Sequence, residues 1–341
     1  MRVAMYYNNK DVRIEKMPKP KFGPDELLVK TMACGICGSD VMEWYRIKKA
    51  PRVLGHEMSG EIVEVGKNVK DFKVGDRVFV SHHVPCNKCR YCLSGQHTVC
   101  KTLHTTNFDP GGFSEFVRVP KINVELGTFL LPDEISYEEG TFIEPLGCVI
   151  RGQRKVDVKQ GNTVLVLGSG MSGILHIQLA KALGAEKIIA TDMFEYKLKA
   201  AKKFGADEVI NAKEDVPART REVNDGRGVD RVIVCTGAVP AIKQALKSAD
   251  GGGSILFFAP TDPGVDIPLP FNDVWMNQLT LTTTYAAAPV DIKEAIELIR
   301  SDKVNVKDMV THRLSLDEIG KGFQLVTEAK KSIKVVVKPN R

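Results

Sequence analysis

The segment 163-TVLVLGSGMSGILHIQLAKALGA-185 constrains this chain more than any other. An apolar, β-branched run leads straight into a glycine-rich turn, GSGMSG, and the turn opens onto a pattern with the period of a helix. A strand, a tight glycine turn and a helix in that order are the first half of a βαβ unit, which requires a parallel partner strand. That partner is 187-KIIATD-192. Further apolar runs follow at 207-DEVI-210, 230-DRVIVCTG-237, 254-SILFFA-259 and 279-LTLTTTY-285, with helical stretches at about 172–184, 194–204 and 239–248 between most of them. The expectation is α/β: a six-stranded, doubly wound parallel sheet of the Rossmann type.

The turn itself specifies a ligand. Gly168 permits the tight turn, Gly170 lets backbone approach a pyrophosphate, and Gly173 lets the helix pack close to the sheet. The N–H groups of Met171 and Ser172, in the first helical turn, then face the phosphates. Asp192, at the end of the second strand, can accept hydrogen bonds from a ribose 2′-hydroxyl and would repel a 2′-phosphate, so NAD is expected over NADP. No arginine follows Asp192 directly. A blander role for Asp192 is to cap the next helix, with Glu195 at capping-box spacing.

At 341 residues the chain exceeds what one core usually supports, so a second domain is expected. Up to about residue 130 the sequence is written in short strands punctuated by glycine and proline, at 26-ELLVKTMA-33, 60-GEIVEVG-66, 77-RVFV-80 and 113-FSEFVRVP-120. The stretches after 285 are too short for a third domain and should return to the first. The expected division is 1–148 with 286–341 for a mostly-β domain and 149–285 for the nucleotide domain. The net charge of +6 comes from scattered lysines with no stripe of interleaved aromatics, which argues against a nucleic-acid partner. The N-terminus has no apolar leader and no run of 18 apolar residues occurs, so neither a membrane partner nor export is expected. A cytoplasmic location follows, in which clustered cysteines point to metal rather than disulfides.

Four of the eight cysteines fall within 86-CNKCRYCLSGQHTVC-100. Cys86, Cys89, Cys92 and Cys100 are spaced C-x2-C-x2-C-x7-C and can fill the closed tetrahedral shell of a structural Zn²⁺. So polar a lobe should draw much of its folding energy from the metal. His82, His83, His97 and His104 lie nearby in sequence, but with the shell full they are expected to be surface or loop residues.

A second constellation is 34-CGICGSD-40 followed by 55-GHE-57, where Cys37, His56 and Glu57 offer sulfur, nitrogen and oxygen donors. Together with the quartet, the glycine turn, 112-GFSEFVRVP-120, 144-EPLG-147 and 311-THRLSLDEI-319, it resembles the zinc-dependent medium-chain alcohol dehydrogenase family over essentially the whole chain. The resemblance implies a GroES-like catalytic domain and a second, catalytic Zn²⁺ held by Cys37 and His56. The third position falls on Glu144, where a glutamate resembles the polyol and sorbitol dehydrogenase branch; in that branch Glu57 can instead be the direct ligand, with Glu144 holding the metal through water. Both carboxylates stay candidates. Cys34, Cys148 and Cys235 are expected to be core thiols.

The chemistry implied is hydride transfer from a secondary alcohol to NAD, giving a ketone, because a bound Zn²⁺ lowers the pKa of a coordinated hydroxyl toward neutrality. Ser39 resembles the family's proton-accepting hydroxyl. The relay histidine expected five positions after Cys37 is Met42 here, so the proton must leave through the cofactor ribose, water or Glu43. Lys197 matches a lysine on the adenosine ribose, and Arg313 a residue near the active cleft. The short loop with Trp44 and Tyr45 should shape the substrate pocket. The resemblance also implies a homo-oligomer, a dimer or tetramer joined through the cofactor domains. Expected partners are thus a small-molecule alcohol, two zinc ions per subunit and NAD. Threonine-type amino alcohols and aldoses oxidised at C1 are alternative substrates. A zinc-free quinone reductase and a catalytically silent binding protein on this scaffold are the competing readings.

Overall fold

The structure, a computed structural model, describes residues 1–340. It divides into two compact units, one formed by Met1–Gly147 with the chain from Ala286 onward, the other by Cys148–Tyr285. The first unit begins with β1 (Arg2–Asn8), β2 (Asp11–Lys16), β3 (Leu27–Gly35), β4 (Arg52–Val53), β5 (Glu57–Val65), β6 (Arg77–Ser81), β7 (Phe116–Val119) and β8 (Thr128–Leu130). The second holds β9 (Thr163–Leu167), β10 (Lys187–Asp192), β11 (Glu208–Asn211), β12 (Val229–Val234), β13 (Ala249–Phe257) and β14 (Thr280–Thr283). β15 (Val310–Ser315) and β16 (Lys334–Lys338) return to the first.

In the second unit the strand order is β11-β10-β9-β12-β13-β14, every neighbour parallel. All five residues of β9 are buried, because alternate side chains enter different cores. Val164 and Val166 pack with Ile177 and Ile188, whereas Leu165 and Leu167 pack with Ile189 and Val232. A sheet covered on both faces therefore reads as an unbroken apolar run.

The first unit is a mostly-β body. Its larger sheet runs β15-β16-β3-β5-β6-β8, with β7 also paired to β3, and β1 sits between β2 and β4 in a smaller one. β16 lies antiparallel to β3 with Val336 opposite Gly35, so the last strand reaches the part of the sheet from which Cys37 emerges. Tyr6, Met58, Phe113 and Phe323 anchor the core.

Several elements depart from the expectation. The hairpin β1–β2 went unread because its alternation is diluted by charged and amide residues; its pairing with β4, some 40 residues on, is a tertiary matter. The helices Val216–Val223 and Phe271–Met276 are too short for a period to declare itself. β13 starts back at Ala249, across 250-DGGG-253, whose glycines conceal a strand. β12 stops at Val234, before the turn at Thr236 and Gly237. Among the described residues no helix is long and apolar enough to cross a membrane.

Candidate active site and metal centres

Three donor atoms meet where β3 ends and β5 begins. The antiparallel register sets Gly35 opposite Glu57, the first residue of β5. Beyond Gly35 the chain turns through a short 3-10 segment, Gly38–Asp40, in which Cys37 Sγ accepts the Ser39 N–H at 3.4 Å and Asp40 Oδ2 accepts the Cys37 N–H at 3.1 Å. His56 directly precedes β5. One ligand atom each from Cys37, His56 and Glu57 all lie within 4.8 Å of one another.

Each donor is held from behind. Asp40 is wholly buried, and its Oδ1 lies 3.3 Å from both His56 Nδ1 and an Arg46 nitrogen. Burial would raise the Asp40 pKa, but His56, Arg46 and the Cys37 N–H outweigh it and hold the carboxyl below its ordinary range. Burial likewise opposes charge on His56, yet Asp40 and Cys37 lift it well above the usual imidazole value. With Nδ1 committed to Asp40, Nε2 is the nitrogen left for a metal.

Glu57 is held from β16. Its Oε2 accepts from Lys334 Nζ at 2.5 Å, and both side chains are buried. The Lys334 ammonium also lies 4.9 Å from the centre of the Phe142 ring. Gly35 makes the space, since a Cβ there would overlap both partners. The other oxygen, Glu57 Oε1, is buried without a hydrogen-bond partner. A buried carboxylate oxygen without a protein partner, beside a thiol and an imidazole, completes an S, N, O donor set that suits Zn²⁺.

His82 and His83, expected to be surface or loop residues, do lie in the loop after β6, but half-buried and beside this site. Ser81, the last residue of β6, pairs with Glu57, so the two histidines emerge beside His56. The His82 ring centre lies 4.8 Å from that of His56 and 3.8 Å from that of His83. Burial first, then the neighbouring histidines and basic side chains, push His82 well below the ordinary value and His83 down to about 3.

The quartet is assembled as well. Cys86, Cys89, Cys92 and Cys100 come together, with Cys89 Sγ 3.5 Å from Cys92 Sγ and Cys100 Sγ 3.6 Å from Cys86 Sγ. Such separations suit tetrahedral Zn–S bonds of about 2.3 Å. Burial opposes ionisation of Cys100, but the N–H groups of Cys86, Leu103 and Thr102 prevail and bring the thiol to about 5. The local core is only Cys92, Cys100 and Leu103, with Cys86, Cys89 and Ala286 against it.

In the second unit, Gly168 adopts φ +95°, where a side chain is strained, and a Cβ at Gly173 would overlap the Gly168 carbonyl. A Cβ on Gly170 would stand in open space, which is the room a pyrophosphate needs. Met171 and Ser172 occupy the first turn of the helix Met171–Ala182. Asp192 accepts the Ser169 N–H through Oδ2 and the Phe194 N–H through Oδ1, both at 3.0 Å, which ties its carboxylate to the glycine turn. The next helix is capped at Phe194, so the capping box with Glu195 does not form. Lys197 is buried; burial lowers its pKa while Asp192 acts to raise it.

Other expected residues stand elsewhere. Glu144 is buried in the first turn of the helix Ile143–Lys155 but does not join the group of three. Ser39 Oγ accepts from Arg46 at 2.8 Å. Arg313 is occupied by Glu138 at 2.7 Å. Cys34 is core, whereas Cys148 and Cys235 are half-buried and outside both clusters. Asp40, Arg46 and Lys334 were missed as site residues; the D of GSD was the one local signal.

The family model described as "Alcohol dehydrogenase GroES-like domain" matches residues 23–127, and that described as "Zinc-binding dehydrogenase" matches 173–301. Sorbitol dehydrogenase of Bacillus subtilis (strain 168) is 34% identical over 353 residues, covering 100% of this chain and 98% of that protein. L-threonine 3-dehydrogenase of Caldanaerobacter subterraneus subsp. tengcongensis is 34% identical, covering 99% of this chain and 98% of that one. Among solved structures, a Sinorhizobium meliloti 1021 protein bound to NADP superposes with a TM-score of 0.89 at 29% identity and 99% coverage of both chains. With a mixed-donor metal cluster, a cysteine quartet and a dinucleotide turn already in place, full-length identity at this level means that the chain belongs to the zinc-dependent alcohol dehydrogenase family, in its polyol dehydrogenase-like branch.

Proposed function

We propose that the protein oxidises a secondary alcohol of a polyol, sugar or similar small polar molecule to a ketone, with NAD⁺ as hydride acceptor. The observation that carries this reading is the orphaned Glu57 oxygen beside Cys37 and His56, in a chain that also keeps the dinucleotide turn. Cys37, His56 and Glu57 would hold the catalytic Zn²⁺, with Glu144 a more distant carboxylate, and the quartet a structural one. When bound, Zn²⁺ supplies the Lewis acidity that makes an alcohol hydroxyl ionisable near neutrality. Asp40 fixes the imidazole of His56, and Lys334 fixes one oxygen of Glu57. Ser39 Oγ, already accepting from Arg46, keeps its own proton free to exchange with the substrate hydroxyl. Met42 offers no continuation, so the proton leaves through ribose hydroxyl or water.

Gly168, Gly170, Met171, Ser172 and Gly173 would cradle the pyrophosphate. Asp192 and Lys197 would meet the adenosine ribose, and the Asp192 charge favours NAD⁺ over NADP⁺. The sorbitol dehydrogenase relative supports a polyol, while the threonine dehydrogenase relative keeps an amino alcohol as the second reading. Exposed Phe271, Trp275 and Met276 beside the edge strand β14 support a homo-oligomer, dimer or tetramer. Thiolate metal sites suit the reducing cytoplasm.

The test is nucleotide reduction across polyols, sugars, hydroxy amino acids and simple secondary alcohols, with zinc-loaded and chelator-stripped protein. Turnover should require the metal and should vanish in Cys37→Ser with the fold intact. Undiminished activity after stripping would refute the reading. Asp192→Ala should narrow the preference for NAD⁺ over NADP⁺.

A further inference from the structure

The loop between Cys37 and His56 is short and basic. Residues 41–52 carry Arg46, Lys48, Lys49 and Arg52 against a single acid, Glu43. Arg46 is already engaged through two of its nitrogens: Nε donates to the Ser39 carbonyl at 2.8 Å, and Nη2 to Ser39 Oγ at 2.8 Å and to Asp40 Oδ1 at 3.3 Å, while its guanidinium lies 4.7 Å from the Tyr45 ring centre. Arg52 is different. It lies in β4, four residues before His56, and because Val53 enters the core the Arg52 side chain takes the opposite face. It is half-buried, and among the described residues no hydrogen bond, ion pair or ring contact engages its guanidinium.

Burial, and next Arg46, lower the Arg52 pKa, while Tyr45 and Asp40 act against them. The Arg46 guanidinium sits on Asp40, the carboxylate that also holds His56, and Arg52 stands in β4, the strand just before His56, so both arginines belong to the segment that borders the donor group. Asp40 cannot neutralise the second guanidinium, since it is buried and already shared by His56, Arg46 and the Cys37 N–H. Glu43 is exposed. A guanidinium partly removed from water beside a second one, with no carboxylate of its own, is unfavourable in the protein alone and becomes favourable once an oxyanion binds.

We infer that Arg52, beside Arg46, reads an anionic group on the substrate, so that the alcohol oxidised here carries a phosphate ester or a carboxylate in addition to its reacting hydroxyl. This rests on the dehydrogenase reading above and narrows its substrate class. Both groups present two or more oxygens to the planar fork of an arginine, a chemistry that a neutral polyol lacks. The anion is unchanged by the reaction, in which alcohol and NAD⁺ give ketone, NADH and a proton. It sets which alcohol is held and for how long.

The experiment compares matched alcohols with zinc-loaded enzyme: galactitol against galactitol 1-phosphate, xylitol against xylitol 5-phosphate, and threitol against threonate. The charged member of at least one pair should have the higher kcat/KM, by about tenfold or more, as expected for a charge-assisted contact. Preference for the phosphorylated members assigns a phosphate ester, and preference for threonate a carboxylate. Arg52→Gln should collapse the charged-to-neutral ratio mainly through KM, and Arg52→Lys, which keeps the charge but not the fork, should restore part of it. Calorimetric binding of glycerol 2-phosphate to wild type and Arg52→Gln, without nucleotide, reads the anion site independently of turnover. Equal kcat/KM within every pair, or a ratio untouched by Arg52→Gln, overturns the inference while leaving the dehydrogenase intact. Phosphate binding that depends on Arg52, with no alcohol oxidised by either nucleotide, would instead overturn the dehydrogenase reading and leave the anion site standing.

Discussion

Replacing Lys334 with methionine tests the architecture of the metal site most directly. The Lys334 side chain is 1% exposed and that of Glu57 0%, with Nζ and Oε2 2.5 Å apart. Methionine conserves most of the volume, so the substitution removes the charge and its hydrogen bond with little loss of packing. What remains is a carboxylate out of water whose second oxygen already lacks a partner. Removing one member of a buried ion pair destabilises by about 3–5 kcal/mol, against a total stability of about 5–15 kcal/mol. The metal modifies this figure, because a bound cation gives Glu57 a second counter-charge. The loss should therefore be largest in chelator-stripped protein and smaller with zinc. Equilibrium urea unfolding of wild type, Lys334→Met, Glu57→Gln and the double variant, each with and without zinc, isolates the coupling between the two residues. A coupling energy under about 1 kcal/mol in stripped protein would refute the reasoning, since exposed pairs already reach that level.

Gly173→Ala should abolish nucleotide binding, because the new methyl overlaps the Gly168 carbonyl; an unchanged Kd for NADH by fluorescence would contradict the packing described. Cys89→Ser should lower zinc content from two ions to one per chain, seen by elemental analysis, and reduce thermal stability more than initial turnover. His176 is wholly buried, with Nδ1 3.2 Å from Gln153 Nε2, and burial lowers its pKa from 6.5 to about 3. The unfolded chain binds this proton first, so stability is fully present above pH 6.5 and is lost as pH falls toward 3, on the order of 1.4 kcal/mol per unit. Urea unfolding at pH 7 and pH 5 should show a smaller acid loss in His176→Asn than in wild type, and equal losses would exclude this origin.

The parts of the molecule legible in the sequence are those whose partners are close along the chain. The quartet spans fifteen residues and the glycine turn six, so spacing alone displays the chemistry. The parallel sheet was legible because a strand buried on both faces leaves an unbroken apolar run. What stayed hidden depends on register. Lys334 reaches Glu57 across 277 positions because β16 pairs with β3, and His82 reaches His56 because β6 pairs with β5. Two glutamates could equally supply the oxygen donor on paper; the pairing of Gly35 with Glu57 is what unites one of them with Cys37 and His56. Arg313 illustrates the converse, a residue flagged by local motif but already occupied by Glu138.

The cysteine lobe has a biological corollary. Its interior amounts to Leu103 and the thiols themselves, while Leu93 and Val99 lie open to solvent. Without zinc the chain would thus keep its larger cores and carry one slack lobe open to proteolytic clipping.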